Sequence, residues 1–218
     1  MTSPDHTRYL VLIADIQDSR HLPDRQAVQT RLQDTLTTLN AAAPPDLLVS
    51  PYTITLGDEF QAVMTRADRA LADIITVMGA LHPVQLRFAL ATGALDTPVN
   101  PDQAIGMDGP AFHAAREAIE HLKAADERLA IVHTGESPDP QLDTLVTGTV
   151  GLLGHHLGKW KPSRLSVLTA RLHGDSVTTI ATRLGMSEQA VYKNMRAGEL
   201  EHVITLFRTL TTLINRRL

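Results

Sequence analysis

Apolar residues recur along this chain with two periods, and the switch between them marks out its elements. Arg8–Ile16 (RYLVLIADI) is a short, β-rich apolar run, long enough for a buried strand and too short for a helix. After Pro23 the spacing lengthens: Val28, Leu32, Leu36 and Leu39 predict a helix to about Asn40, broken by Pro44-Pro45. Leu47–Leu56 and Glu59–Met64 read as two strands joined by a tight turn at Gly57-Asp58. A helix fits Asp68–Leu81, ended by Pro83, and Val84–Thr92 reads as a strand stopped by Gly93. Beyond a loop rich in Pro, Asn and Gly, a helix is expected at about Gly109–Asp126 and a strand at Arg128–His133. The predicted order is βαββαβ followed by αβ, which gives an α+β fold with a ferredoxin-like core in residues 1–135.

Gly135–Pro140 has the composition of a linker. The pattern after it predicts a connecting helix over 141–160, apolar at Leu142, Leu145, Val146, Val150, Leu153 and Leu157. Gly148, Gly151, Gly154 and Gly158 weaken that helix unless they mark close packing. Residues 161–218 predict an all-α domain. One helix begins at Pro162 and runs to Leu172; Ser176–Leu184, the turn Gly185-Met186-Ser187 and Glu188–Arg196 have the outline of a helix-turn-helix; Glu199–Arg217 closes the chain as an amphipathic helix. Ala181 is small where two helices approach, Gly185 suits a left-handed turn, Val191 supplies a buried contact, and Ser187 suits an N-cap.

Charge sharpens the picture of this last segment. The net charge of −4 conceals an asymmetry: residues 1–154 carry 10 Lys/Arg against 20 Asp/Glu, whereas residues 155–218 carry 10 against 4, a net of +6. A basic segment on an acidic chain is expected to meet a polyanion, and DNA is the partner that suits a helix-turn-helix. The second helix would enter the major groove with Gln189, Tyr192, Lys193 and Arg196, while Arg164, Arg171 and Arg183 are candidates for phosphate contacts. The competing reading is a helical hairpin used only for packing or dimerisation. The stretch IATRLGMSEQAVYKNMRAG resembles bacterial regulators and the final region of sigma factors.

With no cysteine, disulfides, thiolate zinc sites and a cysteine nucleophile are excluded. The longest strongly apolar stretch, Tyr9–Ala14, is too short to span a membrane, and the first residues lack a secretory pattern, so a cytoplasmic location without membrane association is expected. HExxH, P-loop and GxSxG motifs are absent, and His155-His156 have no evident third ligand.

Two acidic positions carry the candidate chemistry of the first segment. Asp15 ends the first strand and Asp58 sits in the hairpin turn, and a split βαβ sheet makes these neighbours. Two carboxylates on one edge suit Mg²⁺ or Mn²⁺, which take oxygen ligands and share them with phosphates. Asp18 and Glu59 are nearby alternates, Arg20 is a candidate phosphate contact, and Gly57 keeps the turn open to a ligand. The plainer alternative is that Gly-Asp is hairpin chemistry and Asp15 merely ends a strand.

The same residues carry a resemblance. LIADIQDSR (12–20), the Gln29, Leu32, Leu36, Asn40 helix and ITLGDEFQAV (54–63) resemble the SatD family of bacterial proteins. More distantly, these pieces are similar to the palm of class III nucleotidyl cyclases and diguanylate cyclases. LRFALATG (86–93) resembles their fourth strand, and AFHAAREAIE (111–120) resembles the helix that carries their arginine, here Arg116. Against the cyclase pattern, Phe112 stands where an Asn orients the ribose, Ile54 where a Lys reads the base, and Leu56 where diguanylate cyclases have a glycine. The resemblance thus implies a nucleotide- or phosphate-sensing palm whose metal ligands persist and whose substrate-reading residues do not, working as a homodimer. Taken together, the expectation is a DNA-binding regulator without catalytic residues. The alternatives are a divergent metal-dependent nucleotidyl cyclase or nucleotidyltransferase with a DNA-tethering tail, and an interaction protein with neither activity.

Overall fold

A computed structural model describes residues 7–218. They form a five-stranded mixed sheet and eight α-helices: β1 (Arg8–Ile16), α1 (Arg25–Ala41), β2 (Leu48–Ile54), β3 (Glu59–Met64), α2 (Ala70–Leu81), β4 (Leu86–Ala94), α3 (Pro110–Ala125), β5 (Leu129–His133), α4 (Pro140–Leu157), α5 (Pro162–Leu172), α6 (Val177–Leu184), α7 (Glu188–Ala197) and α8 (Leu200–Asn215). The strand order is β2-β3-β1-β4-β5. β1 is antiparallel to β3 and β4, β2 is antiparallel to β3, and β5 runs parallel to β4.

The alternation in β1 sorts its residues between two apolar layers. Leu10, Leu12, Ala14 and Ile16 face α1 and α2, in a core that continues through α4, α5, α7 and α8 as far as Ile214. Val11 and Ile13 face the other way, onto Ala111, Phe112, Ala115, Ile119 and Leu122 of α3. Asp15 follows the Ile13 parity, so the strand that builds both layers also delivers this carboxylate to the α3 face.

Several predicted boundaries shift for physical reasons. α1 starts later than Pro23, because Asp24 caps it by accepting the Ala27 N–H. β2 ends at Ile54, so four residues rather than a two-residue turn connect it to β3. Gly93 does not stop β4: it pairs with Tyr9 inside the sheet, where a Cβ would lie 2.6 Å from Thr134 Oγ1 and 3.2 Å from the Ala111 Cα. The glycine is there because Thr134 and α3 close in on it.

The glycines of α4 divide in two. Gly148 has open space around it and Gly151 has only a distant neighbour, whereas a Cβ at Gly154 would sit 3.0 Å from Leu129 Cβ and 3.1 Å from its backbone nitrogen. Gly154 thus lets α4 lie close against β5. Gly154→Val is expected to destabilise the fold by about 1–3 kcal/mol through overpacking, seen as a lower urea midpoint. Gly148→Ala should not lower it.

The last four helices are not isolated from the sheet. α5 lies against α2, with Leu165 Cβ placed 3.7 Å from where a Gly79 Cβ would be, and Leu165, Val167 and Leu168 are buried in the common core. Arg8 of β1 donates to the carbonyl of Arg217 at the far end of the chain (2.6 Å). Asn215 bridges back to Asp68 and to the Ala67 N–H. No helix among the described residues is long and apolar enough to cross a membrane.

Candidate functional site

Sheet register alone brings four functional side chains onto the α3 face. Asp15 pairs with Glu59 of β3 and with Arg87 of β4, and Ile13 pairs with Gln61, so Asp15, Glu59, Gln61 and Arg87 all point to the same side. Lys123 reaches down from α3. Asp15 Oδ2 lies 3.4 Å from Arg87 Nη1 and 3.8 Å from Lys123 Nζ, and Lys123 is shared with Glu120 at 2.9 Å.

Asp58 comes from the four-residue connection between β2 and β3. Its backbone carbonyl accepts the Ile16 N–H (2.9 Å), which fixes the connection to the end of β1. Its carboxylate accepts the hydroxyl of Ser19, a buried residue in the short 3₁₀ turn Ser19–His21. Gly57 has φ +74°, a conformation that favours glycine, and its carbonyl takes the Gln29 amide at 2.9 Å. Arg25 also stands over it, with Nη2 3.4 Å from where a Cβ would be.

The Asp58 backbone thus lies at the end of β1, beside the residue that follows Asp15. Asp15 and Asp58 are close enough for the Asp58 charge to act on Asp15. Burial pushes the Asp15 carboxyl above its ordinary value, Lys123 and Arg87 pull it down, and Asp58 adds to the rise. Since the folded value exceeds the unfolded one, the native state holds this proton more tightly. The associated stability is greatest below the unfolded value of 3.8 and is lost as pH rises through the raised one. Asp15→Asn should remove that part of the pH slope, as measured by urea denaturation at pH values on either side of it.

The other sequence candidates scatter around this edge. Asp18 is exposed, in a left-handed conformation ahead of the 3₁₀ turn, and Arg20 is exposed within that turn. Arg116 is exposed on α3, two turns before Lys123, and shares a cleft with Glu59. Phe112, at the position the cyclase resemblance assigns to a ribose-orienting Asn, is fully buried in the α3 layer and serves packing. Ser19, Arg25, Gln29, Gln61, Arg87 and Lys123 were not singled out as site residues in the sequence, because they come to this edge from five different elements.

As a metal centre this donor set fits poorly. The charge of Asp15 is met by two protein cations and Asp58 holds a hydroxyl, and no cluster of three His, Cys, Asp or Glu side chains among the described residues is placed to hold an ion. Magnesium or manganese on two carboxylates takes its other oxygens from water and phosphate, so the engagement of these carboxylates, and not their number, is what weighs against an ion here.

The cleft beside this edge holds about 510 Å³, between the β2–β3 connection, α3 and the segment Ile105–Met107. Its floor is Ile13, Gln61 and Ile119, and its rim carries Thr55, Leu56, Glu59, Arg116, Glu117 and Glu120. The Ile105–Met107 wall is anchored to the sheet. The Ala104 N–H donates to Thr53 Oγ1 (2.9 Å), the Ala104 carbonyl takes the Gln61 amide, and Ser50 donates to the Asn100 carbonyl (2.6 Å).

In the tail, α6 and α7 are joined by the three residues 185–187, with Gly185 left-handed at φ +62°. Ser176 caps α6 by accepting the Thr179 N–H, and Ser187 caps α7 by accepting that of Ala190. Ile180, Ala181 and Val191 are buried between the helices. Gln189, Tyr192, Lys193 and Arg196 all lie exposed on α7. The three arginines expected on phosphates are instead engaged within the chain. Arg164 lies over the Trp160 ring at 5.4 Å, Arg171 holds the Asp175 carbonyl and Glu201, and Arg183 pairs with Asp175 at 2.7 Å. Only Arg183 keeps a half-exposed side chain.

A family model described as the SatD family matches residues 9–212. No curated protein matches the chain. Among solved structures, the chain is similar to a bacterial light-regulated adenylyl cyclase at 20% identity, over 59% of this chain and 77% of that one, with a TM-score of 0.43. A second structure of a bacterial light-regulated adenylyl cyclase shares 19% identity over 60% of this chain and 44% of its own, with a TM-score of 0.42.

Proposed function

The chain belongs to the SatD family, and from that footing we propose that it is a DNA-binding regulator whose sheet domain senses a small ligand. The observation that carries the first half is the exposed face of α7. Gln189, Tyr192, Lys193 and Arg196 project from a helix that is N-capped, seated on Val191 and joined to α6 by a glycine turn, which is the arrangement of a helix-turn-helix. Tyr192 is 49% exposed. The surplus of basic residues in 155–218 supplies the field that draws this face to a polyanion.

The sheet domain, in this reading, is a ferredoxin-like palm over residues 1–135, carried to the helix-turn-helix of 161–218 by α4. Asp18, Arg20, Gly57, Glu59 and Arg116 surround its ligand, and a second copy of the chain would present a second α7 for a two-fold symmetric site. The test is fluorescence anisotropy of the full chain on duplex DNA. Binding that weakens steeply between about 50 and 200 mM salt supports the reading; no binding at the lower salt rejects it.

A second reading, a nucleotidyl cyclase or nucleotidyltransferase using Mg²⁺ or Mn²⁺ at Asp15 and Asp58, is favoured by the bond that holds the Asp58 backbone at the end of β1, next to Asp15. The cations already on Asp15 weigh against it. Incubation with nucleoside triphosphates and either metal separates the two: a product that disappears in Asp58→Asn would make the chain an enzyme.

A further inference from the structure

α4 turns two different faces to its surroundings. Val150, Leu153, Gly154 and Leu157 are buried against β5 and the common core. On the opposite side Gln141, Leu145, Gly148, Leu152 and His155 are all exposed, and the line continues to Lys159 just beyond the helix. These positions alternate in steps of four and three, the heptad spacing of a helix that packs along a second helix. Leu145 is 66% exposed and Leu152 61%; among the described residues, Leu56 is the one large apolar side chain that is barer. A surface helix ordinarily carries polar residues on its outer face, whereas this one carries two leucines there, one heptad apart.

Gly148 lies between those leucines, with nothing within 4 Å of where its Cβ would be. A glycine inside a helix costs about 1 kcal/mol against alanine, and Gly148, unlike Gly154, has no neighbour in its own chain that requires it. It leaves a hollow between two apolar knobs, and a copy of the same ridge supplies a knob for that hollow. Charge sets the direction of the pairing. Glu136 and Asp139 lead into α4, Lys159 and Lys161 follow it, and all four are exposed. Laid antiparallel, two copies bring the acidic end of each to the basic end of the other and oppose their helix dipoles; laid parallel, they bring like to like. The ridge is thus complementary to itself under a two-fold rotation, which is what an isologous interface needs.

We infer that the outer face of α4 is a self-association surface whose occupant is a second copy of this chain, packed antiparallel along the ridge. With the two-fold axis level with residue 150, Leu152 of each copy sits over Gly148 of the other, Leu145 meets His155, and Gln141 faces Lys159. This gives a surface to the second copy that a two-fold symmetric DNA site calls for. The pairing itself needs no DNA, so it and the DNA-binding reading can fail separately.

Sedimentation equilibrium of the full chain without DNA measures the association. A monomer–dimer equilibrium is expected as the concentration rises into the hundreds of micromolar. Leu145→Gln and Leu152→Gln together should weaken it at least about a hundredfold, since each dimer covers four of these leucines. Both side chains are exposed, so the circular dichroism spectrum should stay that of the wild type. Gln141→Glu reads the direction of packing. In the antiparallel pair the new carboxylate faces Lys159 of the other copy and tightens association severalfold; in a parallel pair the two new carboxylates face each other and weaken it. A chain that stays monomeric over this range, a dimer that the leucine double variant forms as readily, or one that Gln141→Glu weakens or leaves unchanged would each overturn the assignment.

Discussion

Asp73→Ala should remove about 3–5 kcal/mol of stability, the usual consequence of breaking a buried ion pair from one side. Asp73 lies in the first turn of α2 and is 2% exposed. Arg69 grips it through two bonds, Nε to Oδ2 at 2.8 Å and Nη2 to Oδ1 at 3.0 Å, and the Tyr52 hydroxyl donates to it at 2.9 Å. Arg69 also reaches the Leu39 carbonyl at the end of α1 (3.3 Å). One carboxylate thus ties β2, α1 and α2, and α2 is the helix on which α5 rests. Alanine would take the carboxylate from a guanidinium that keeps only the Leu39 carbonyl, and would leave a buried phenol without its acceptor, on a fold whose whole stability is of the order of 5–15 kcal/mol. Urea denaturation followed by far-UV circular dichroism measures the loss. Replacing all three polar residues together by apolar ones of similar volume should cost far less, since no partner is then stranded. A single-variant loss under 1 kcal/mol would mean that water reaches the site and that the network is not what holds α2 to the sheet.

That network illustrates what could and could not be read from the chain. The first strand was legible as a continuous apolar run, because a sheet with both faces covered demands apolar residues of both parities, Leu10, Leu12 and Ala14 on one side and Val11 and Ile13 on the other. The run through Gly93 was not, because its cause is Thr134, forty-one positions away and visible only once β5 lies beside β4. Asp15 and Asp58 were read as neighbours from hairpin logic, and the Asp58 carbonyl takes the N–H of Ile16, the residue after Asp15. Arg87, Lys123 and Gln61 escaped notice because only sheet register and the packing of α3 bring these ordinary residue types to the edge of Asp15. Charge counting does not reveal which guanidinium lies over Trp160 or is held by Glu201, as those of Arg164 and Arg171 respectively are. The acidic surplus of the first segment pointed to a partner for the tail, yet it also shapes the rim of Glu59, Glu117 and Glu120.

Simultaneous replacement of Tyr192, Lys193 and Arg196 by alanine is expected to lower DNA affinity on the order of 10³-fold, because each base or phosphate contact on a recognition helix is worth about 1–3 kcal/mol. All three are exposed on α7 and none supports the core, which there rests on Val191 and on Leu200 of α8. The variant should keep the wild-type circular dichroism spectrum and urea midpoint. The structure also separates the arginines. Arg183→Ala should reduce the slope of log affinity against log salt by about one unit if it leaves Asp175 for a phosphate. Arg164→Ala and Arg171→Ala should act chiefly on stability, through lost packing on Trp160 and lost bonds to Asp175 and Glu201. If the triple variant binds DNA like the wild type, α7 is not the reading helix, and the exposed Tyr192 belongs to a protein contact. If it loses binding while Arg164→Ala keeps it, the polyanion meets the chain at the exposed polar face of α7.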